Sequence, residues 1–344
     1  MLWNGPFSIF YENGNIKKII NYVDGSMEGL CTIFYPNSQV AELYNFKHNR
    51  KDGQASIFYK NGKIQCDLNY KEDKIDGQVT YYYDTGKIQK EVFYIDGILN
   101  GECKVFHSNG VLAEQFNFIN NKKEGTAKFY KKDGKLWQEL PFNNDQINGE
   151  AKYYYPDGEL KSIVTYVNNI KNGPAKIFYK SGSVKEDKKH ENDKVEGTKL
   201  TFYKSGALKG EWNYVNGEPH GEQKFFYETG ALLGLKSVEK GKDHGATKVY
   251  YANGNLKEEL NFNNGIKDGP CVRCDESGNI IFETFFEKGK SLGENKFVSP
   301  PRNNINVNKP QKRFDLLSYF KGWRLAVLTF VIFLLYVGII YILG

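Results

Sequence analysis

Glycine recurs every 24 residues along most of this chain, and a period that short and strict points to a stacked array of small units rather than one compact core. The first series runs Gly5, Gly29, Gly53, Gly77, Gly101, Gly125, Gly149, Gly173, Gly197, Gly221, Gly245, Gly269 and Gly293 without an insertion. A second series follows nine residues behind it, from Gly14 through Gly62 and Gly86 to Gly278, interrupted only by Ser38. A third, from Gly25, Asn49 and Asp73 to Gly289, uses only Gly, Asn and Asp. These are the residue types that tolerate positive φ, so each unit is expected to contain two turns.

Between the turns the pattern has period two. Cys31, Ile33 and Tyr35 alternate with polar residues up to an aromatic, Phe34, and the second half of a unit resumes with Ile64, Leu68 and Tyr70. That alternation marks half-buried strands. Asn13-Gly14, Asn61-Gly62, Asp133-Gly134 and Asn253-Gly254 are tight-turn signals of the kind that closes a hairpin. The expected fold class is all-β: an elongated antiparallel β-meander of about twelve 24-residue hairpin repeats. At about 4.8 Å per strand, two strands per repeat would give a ribbon roughly 115 Å long and about 20 Å wide.

Runs such as Phe58-Tyr59-Lys60-Asn61-Gly62-Lys63-Ile64 and Tyr94-Ile95-Asp96-Gly97 resemble the MORN repeat (membrane occupation and recognition nexus). More specifically, they resemble the bacterial variant found in proteins described as antitoxin components of toxin–antitoxin modules. The resemblance implies a β-repeat scaffold with a protein partner, in its most concrete form a toxin to be neutralised. Lys188, Lys199, Gln223, Lys236, Cys274 and Asp275 occupy positions that are apolar or aromatic in other repeats, so packing is expected to lose regularity toward the C-terminal end.

The tail reads differently. Residues 325–344 contain no charge and no proline, and twenty residues of helix span about 30 Å, the thickness of a bilayer's hydrocarbon core. Trp323 and Tyr319 lie where an interfacial belt would sit, with Arg324, Lys321, Arg313 and Lys312 on the same flank. The expected organisation is a repeat array over 1–293, a basic linker over 294–323 and a transmembrane tail anchor over 324–344. Residues 294–324, the linker with Arg324, carry seven basic and two acidic residues, which accounts for five of the six net positive charges. Lys309, Lys312, Arg313, Lys321 and Arg324 are candidates for contact with anionic lipid, the other reading being that they only set topology. Met1 to Gly5 runs directly into the first repeat, so the expected location is the cell membrane, single-pass, with the array facing the cytoplasm.

Several classes of chemistry find no support. The array is close to neutral, unlike a nucleic-acid binder. Cys31, Cys103 and Cys271 fill the small-residue slot of Ala55 and Ala127, and an offset of three in a strand puts the Cys271 and Cys274 sulfurs on opposite faces. His220 and His244 stand two strands apart, roughly 10 Å, and the other histidines, His48, His107 and His190, are assigned turn or surface roles. Asp52, Asp76, Glu124, Glu196 and Asp268 precede repeat glycines, and short acidic side chains there are expected to bond their own nearby backbone. No nucleophile, base and orienter converge. The expectation is a non-enzyme with no cofactor and no metal.

A row of rings remains: Phe10, Phe34, Phe58, Tyr82, Phe106, Tyr130, Tyr154, Phe178, Phe202, Phe226 and Tyr250. They share a face with Ser8, Thr32, Ser56, Thr80 and Lys104. Two readings stand: partner anchors, or rings that ladder with one another and hold a thin sheet together. The functional expectation is a membrane-anchored protein-binding scaffold. The alternative is an architectural, lipid-contacting protein that organises membrane, and self-association through open sheet edges is a further expectation.

Overall fold

The structure, a computed structural model, describes residues 2–293. The linker and tail-anchor expectations for 294–323 and 324–344 lie outside the described residues. Among the described residues no helix is long and apolar enough to cross a membrane.

The strands form one continuous antiparallel sheet of 31 segments in which each hairpin pairs with the next. The meander expected from the glycine series is therefore present, and its contacts run between sequence neighbours as in a one-dimensional array. In the third repeat, Arg50–Phe58 pairs with Ile64–Lys71, Gly53 opposite Tyr70 and Ala55 opposite Leu68.

The two turns have different chemistry. At Glu72-Asp73 both residues are left-handed, with φ of 47° and 67°, the two-residue turn whose twist matches the flanking strands. The Asn-Gly turn, which the sequence suggests is the tight one, is longer. Tyr59 N–H donates to Lys63 O at 2.8 Å and Gly62 N–H to Tyr59 O at 2.9 Å, and only Gly62 of the pair has positive φ, 82°. This is a type I turn closed by a glycine bulge, so the Asn side chain serves by accepting from Lys63 N–H at 3.0 Å.

The first glycine series marks a bend inside a strand. Gln115 pairs with Lys128 and Asn117 with Glu124, so Phe116 alone faces Gly125, Thr126 and Ala127. The chain arches off the ladder there, and glycine supplies the positive φ. The carbonyl freed by the arch is bonded by a side chain of the preceding strand, as when Asn45 Nδ2 donates to Gln54 O at 2.8 Å.

One face of the sheet is the core. In several hairpins a small residue sits opposite a large one: Cys31 with Tyr44, Ala55 with Leu68, Cys103 with Phe116, Ala127 with Leu140. The small members are almost fully buried because Ile33, Phe46, Ile57, Tyr70, Tyr81 and their equivalents close over them.

Regularity does not fade toward the C-terminus as expected. The same register holds at Gly269 opposite Phe286. The polar departures from the pattern are answered locally, and Cys274 is simply buried. Lys188 and Lys199 both reach Glu186, at 3.2 and 3.5 Å, and Lys236 reaches Asp243 at 2.7 Å. Buried Gln223 donates to the carbonyls of Asn213, His220 and Gly221 and accepts from Asn213 N–H. Asp275 accepts from Ser277 and Asn279 N–H within its own turn.

Repeats are stitched together by side chains as well as by the ladder. Tyr11, Tyr35, Tyr59, Tyr83, Tyr155, Tyr179, Tyr203, Tyr227 and Tyr251 each donate a hydroxyl hydrogen to the carbonyl 23 residues on, at 2.6 to 3.0 Å. His107 holds the same slot with Nε2 3.1 Å from Tyr130 O. Tyr59→Phe is expected to cost about 1 kcal/mol, the net value of one such bond, read as a lower denaturant midpoint. An unchanged midpoint would make the ladder incidental.

Candidate functional site

The ring row lies on the face opposite the core, as hydroxyl contacts show. Tyr82 Oη donates to Asp67 at 3.3 Å and Tyr154 Oη to Glu139 at 2.9 Å, and Asp67 and Glu139 stand opposite Thr80 and Lys128 of that face. Burial and the hydrogen bond to Glu139 push the Tyr154 phenol up to about 12, so it serves as a neutral donor. Phe10 is exposed, and the other ten rings are half-buried. Among the described residues four aromatic pairs are in ring contact, Trp3–Phe7, Tyr44–Tyr70, Phe116–Phe118 and Trp212–Phe225, and none joins two members of the row. The rings do not ladder with one another; each pairs instead with an aliphatic residue past the hairpin turn, Phe34 with Val40 and Phe58 with Ile64.

Beside the row runs a lysine stripe that shares its period, Lys104, Lys128, Lys176, Lys224 and Lys248. Their ammonium groups reach Glu102, Glu139, Asp187, Glu211 and Glu259 at 2.7, 3.8, 3.5, 3.7 and 3.6 Å. These lysines are solvent-facing, so the pairs contribute little stability and instead set the polarity of the face. Positions 8 and 19 of the repeat, compared down the sequence, carry this signal: the hydroxyls of Ser8, Thr32, Ser56 and Thr80 give way to lysine from Lys104 to Lys248, except at Leu200, and the last repeat has Val272.

The acidic residues that precede repeat glycines do not bond their own turn. Glu28, Asp76, Glu124 and Glu196 accept from the N–H of residues 48, 96, 144 and 216, each 20 residues ahead, at 3.0, 3.0, 2.9 and 2.6 Å. A positive-φ turn leaves that N–H free, and the neighbouring repeat supplies the acceptor. Asn49, Asp73, Asn121 and Asp145 work in the other direction, accepting through Oδ1 from residues 27, 51, 99 and 123. These carboxylates are structural.

Nor is His190 a turn or surface residue. It is buried in a core-face slot that holds Tyr166 and Tyr214 in adjacent repeats, and its Nδ1 lacks a hydrogen-bond partner among the described residues. Burial, then Lys188 and Lys171, hold its pKa below the ordinary value. Burial pushes the Glu186 carboxyl up, but Lys188 and Lys199 outweigh it, and the net shift is downward. Both shifts act in one direction on stability. The fold prefers neutral His190, so its contribution is complete above about pH 6.5 and is lost as pH falls through that range. The Glu186 contribution is present above the ordinary carboxylate range and is lost at lower pH still. Thermal melts from pH 7.5 to 4 are expected to fall in two stages, with the upper stage removed by His190→Phe; an unchanged profile in that variant would rule out His190 as its source.

The five cysteines are reduced and buried, and burial pushes the Cys66 and Cys103 thiols up to about 11, the wrong direction for a nucleophile or ligand. Among the described residues no group of three or more His, Cys, Asp and Glu side chains is placed to hold a metal. The lipid-contact candidates Lys309, Lys312, Arg313, Lys321 and Arg324 lie outside the described residues.

The family model described as MORN repeat variant matches residues 3–24, 27–48, 51–72, 75–96, 99–120, 123–144, 147–168, 195–216, 219–238 and 243–264. The unit at 171–192, which contains Lys188 and His190, falls between matches yet keeps the same strand pairing. No curated protein matches the chain. Among solved structures, it aligns with the "Crystal Structure of TcdB2-TccC3-Cdc42" at 12% identity, with TM-score 0.17, over 83% of this chain and 17% of that one. The "Crystal Structure of TcdB2-TccC3 without hypervariable C-terminal region" aligns at 10% identity, with TM-score 0.17, over 81% and 18%. The "Structure of Photorhabdus luminescens Tc holotoxin pore, Mutation TccC3-D651A" aligns at 12% identity, with TM-score 0.16, over 81% and 16%. The chain thus spans about a sixth of the length of these structures, and superposition at this level says nothing about function.

Proposed function

We propose that this chain, which belongs to the MORN repeat variant family, is a membrane-anchored protein-binding scaffold whose docking surface is the ring row on its polar face. Its most concrete form is an antitoxin-like or immunity-like neutraliser of a protein toxin, held at the membrane by residues 324–344. The observation that supports this reading is the row itself. Half-exposed aromatic rings recur at 24-residue intervals beside a lysine stripe, without stacking on one another. Rings in that setting give large apolar contact area at low entropic cost, which is the property of interface anchors.

The sequence of the linker supports a second reading. Its concentration of basic residues next to an apolar segment suits an architectural protein that contacts anionic lipid. Mass spectrometry of what co-purifies with a tagged full chain from its native membrane separates the two. One near-stoichiometric protein, retained by a copy ending before Arg324, is the outcome expected of the scaffold. Lipid alone, lost on truncation, would transfer the role to the linker and tail.

A further inference from the structure

The repeat supplies its own control for spotting an interaction site, because a residue that abandons a structural duty performed elsewhere in its column stands out. At the slot of Phe93 several other repeats place asparagine, and Asn21, Asn45 and Asn261 donate through their amides to the strand-bend carbonyls of Leu30, Gln54 and Pro270 at 2.9, 2.8 and 2.9 Å; Pro141, Lys189 and Phe285 also depart from asparagine there. Phe93 forfeits that bond and leaves its ring 43% exposed. Around it on the same face Ile95, Ile98 and Ile119 are 48%, 40% and 50% exposed. Ile95 and Ile119 share a repeat position that holds Lys47 and Lys71 as well as Val23, Val167 and Val215, and the position of Ile98 holds Lys74 and Lys122 as well as Ile170 and Ile266. What distinguishes this place is that the three isoleucines fall in neighbouring strands beside Phe93. An apolar patch with a polar rim is a mark of an interaction site.

The rim identifies the partner's chemistry. Beside Phe93 lies a depression of about 200 Å³, lined by Gln78, Glu91, Val92, Phe93, Glu102 and Lys104. Lys104 is committed to Glu102 at 2.7 Å. Glu91 stands across the strand pair from Lys104, but among the described residues no cation lies within ion-pair distance of it, and its carboxylate accepts from Gln78 Nε2 at 3.4 Å. A half-exposed phenyl next to an unpaired carboxylate fits a guanidinium, which stacks on the ring while its fork of N–H donors meets the carboxylate.

Building on the protein-binding reading, we propose that this patch receives an arginine of the partner protein, flanked by aliphatic side chains that cover Ile95, Ile98 and Ile119. The patch lies on the face of the ring row, so one partner spans both. The test uses the full chain in detergent and a fluorescent peptide, GSLTRTLSG, with a counterpart carrying glutamine at its centre. Anisotropy titrations are expected to show saturable binding of the arginine peptide, weakened at least roughly tenfold by Glu91→Gln, by Phe93→Asn and by the peptide's own Arg-to-Gln change. Phe93→Asn restores the residue other repeats use, and circular dichroism melts verify that both variants fold. No saturation at concentrations on the order of 1 mM, or equal binding by wild type and both variants, would overturn the assignment. If the peptide fails while a protein still co-purifies with the full chain, the patch is wrong and the scaffold reading stands.

Discussion

Lysine at position 79 is expected to destabilise the array by about 3–5 kcal/mol, the cost of a buried charge left without a partner. Val79 is fully buried opposite Val92 on the core face. Five repeats later the same slot is Lys199, tolerated because Glu186 reaches both it and Lys188. The slot of Glu186 in the third repeat is Cys66. Adding Cys66→Glu to Val79→Lys should therefore recover about 1–2 kcal/mol as a coupling energy between the two sites. Hydrogen exchange at the amides of residues 64–95 reads the effect locally, where a global melt of a repeat array mixes several transitions. If the two substitutions prove additive, Glu186 is not what makes Lys199 tolerable.

Gly269→Ala carries the second large effect. Gly269 sits in the strand bend with φ of 114°, and an added Cβ would come within 2.9 Å of the Asn261 Cβ. The backbone term is about 1–3 kcal/mol and the steric term is of similar size. Gly62→Ala is the matched control, because its φ is also positive, 82°, but nothing lies within 4 Å; it pays the backbone term alone. Denaturation midpoints should therefore drop further for Gly269→Ala than for Gly62→Ala. Equal losses would mean that the close approach to Asn261 relaxes freely.

What the sequence made legible was whatever repeats. Three glycine-type series and a period-two alternation define strands and turns because only a few residues meet those backbone demands. The features it hid involve a partner one repeat away. Glu28, Asp76, Glu124 and Glu196 look like local turn formers, yet each accepts from a turn N–H 20 residues on, a distance meaningful only once hairpins stack. Regularity through the last repeats was hidden for the same reason. Lys188, Lys199 and Gln223 read as breaks when taken one at a time, and their answers, Glu186 and the backbone around Asn213, emerge from cross-strand neighbours. Of the candidate site, the row and its face were readable from spacing. That its rings pair with aliphatic residues instead of one another depends on the bulges after Ile9, Ile33 and their equivalents, which shift the register in a way composition does not announce.

The ring row is the centre of the functional account, and hydroxyl-radical footprinting of the full chain with and without its co-purifying protein tests it most directly. Protection of Phe34, Phe58, Tyr82, Phe106 and their successors at 24-residue intervals, with core-face Tyr44 and Tyr70 unchanged, is the expected result. Protection confined to the core face, or none on the row while the partner remains bound, would contradict it.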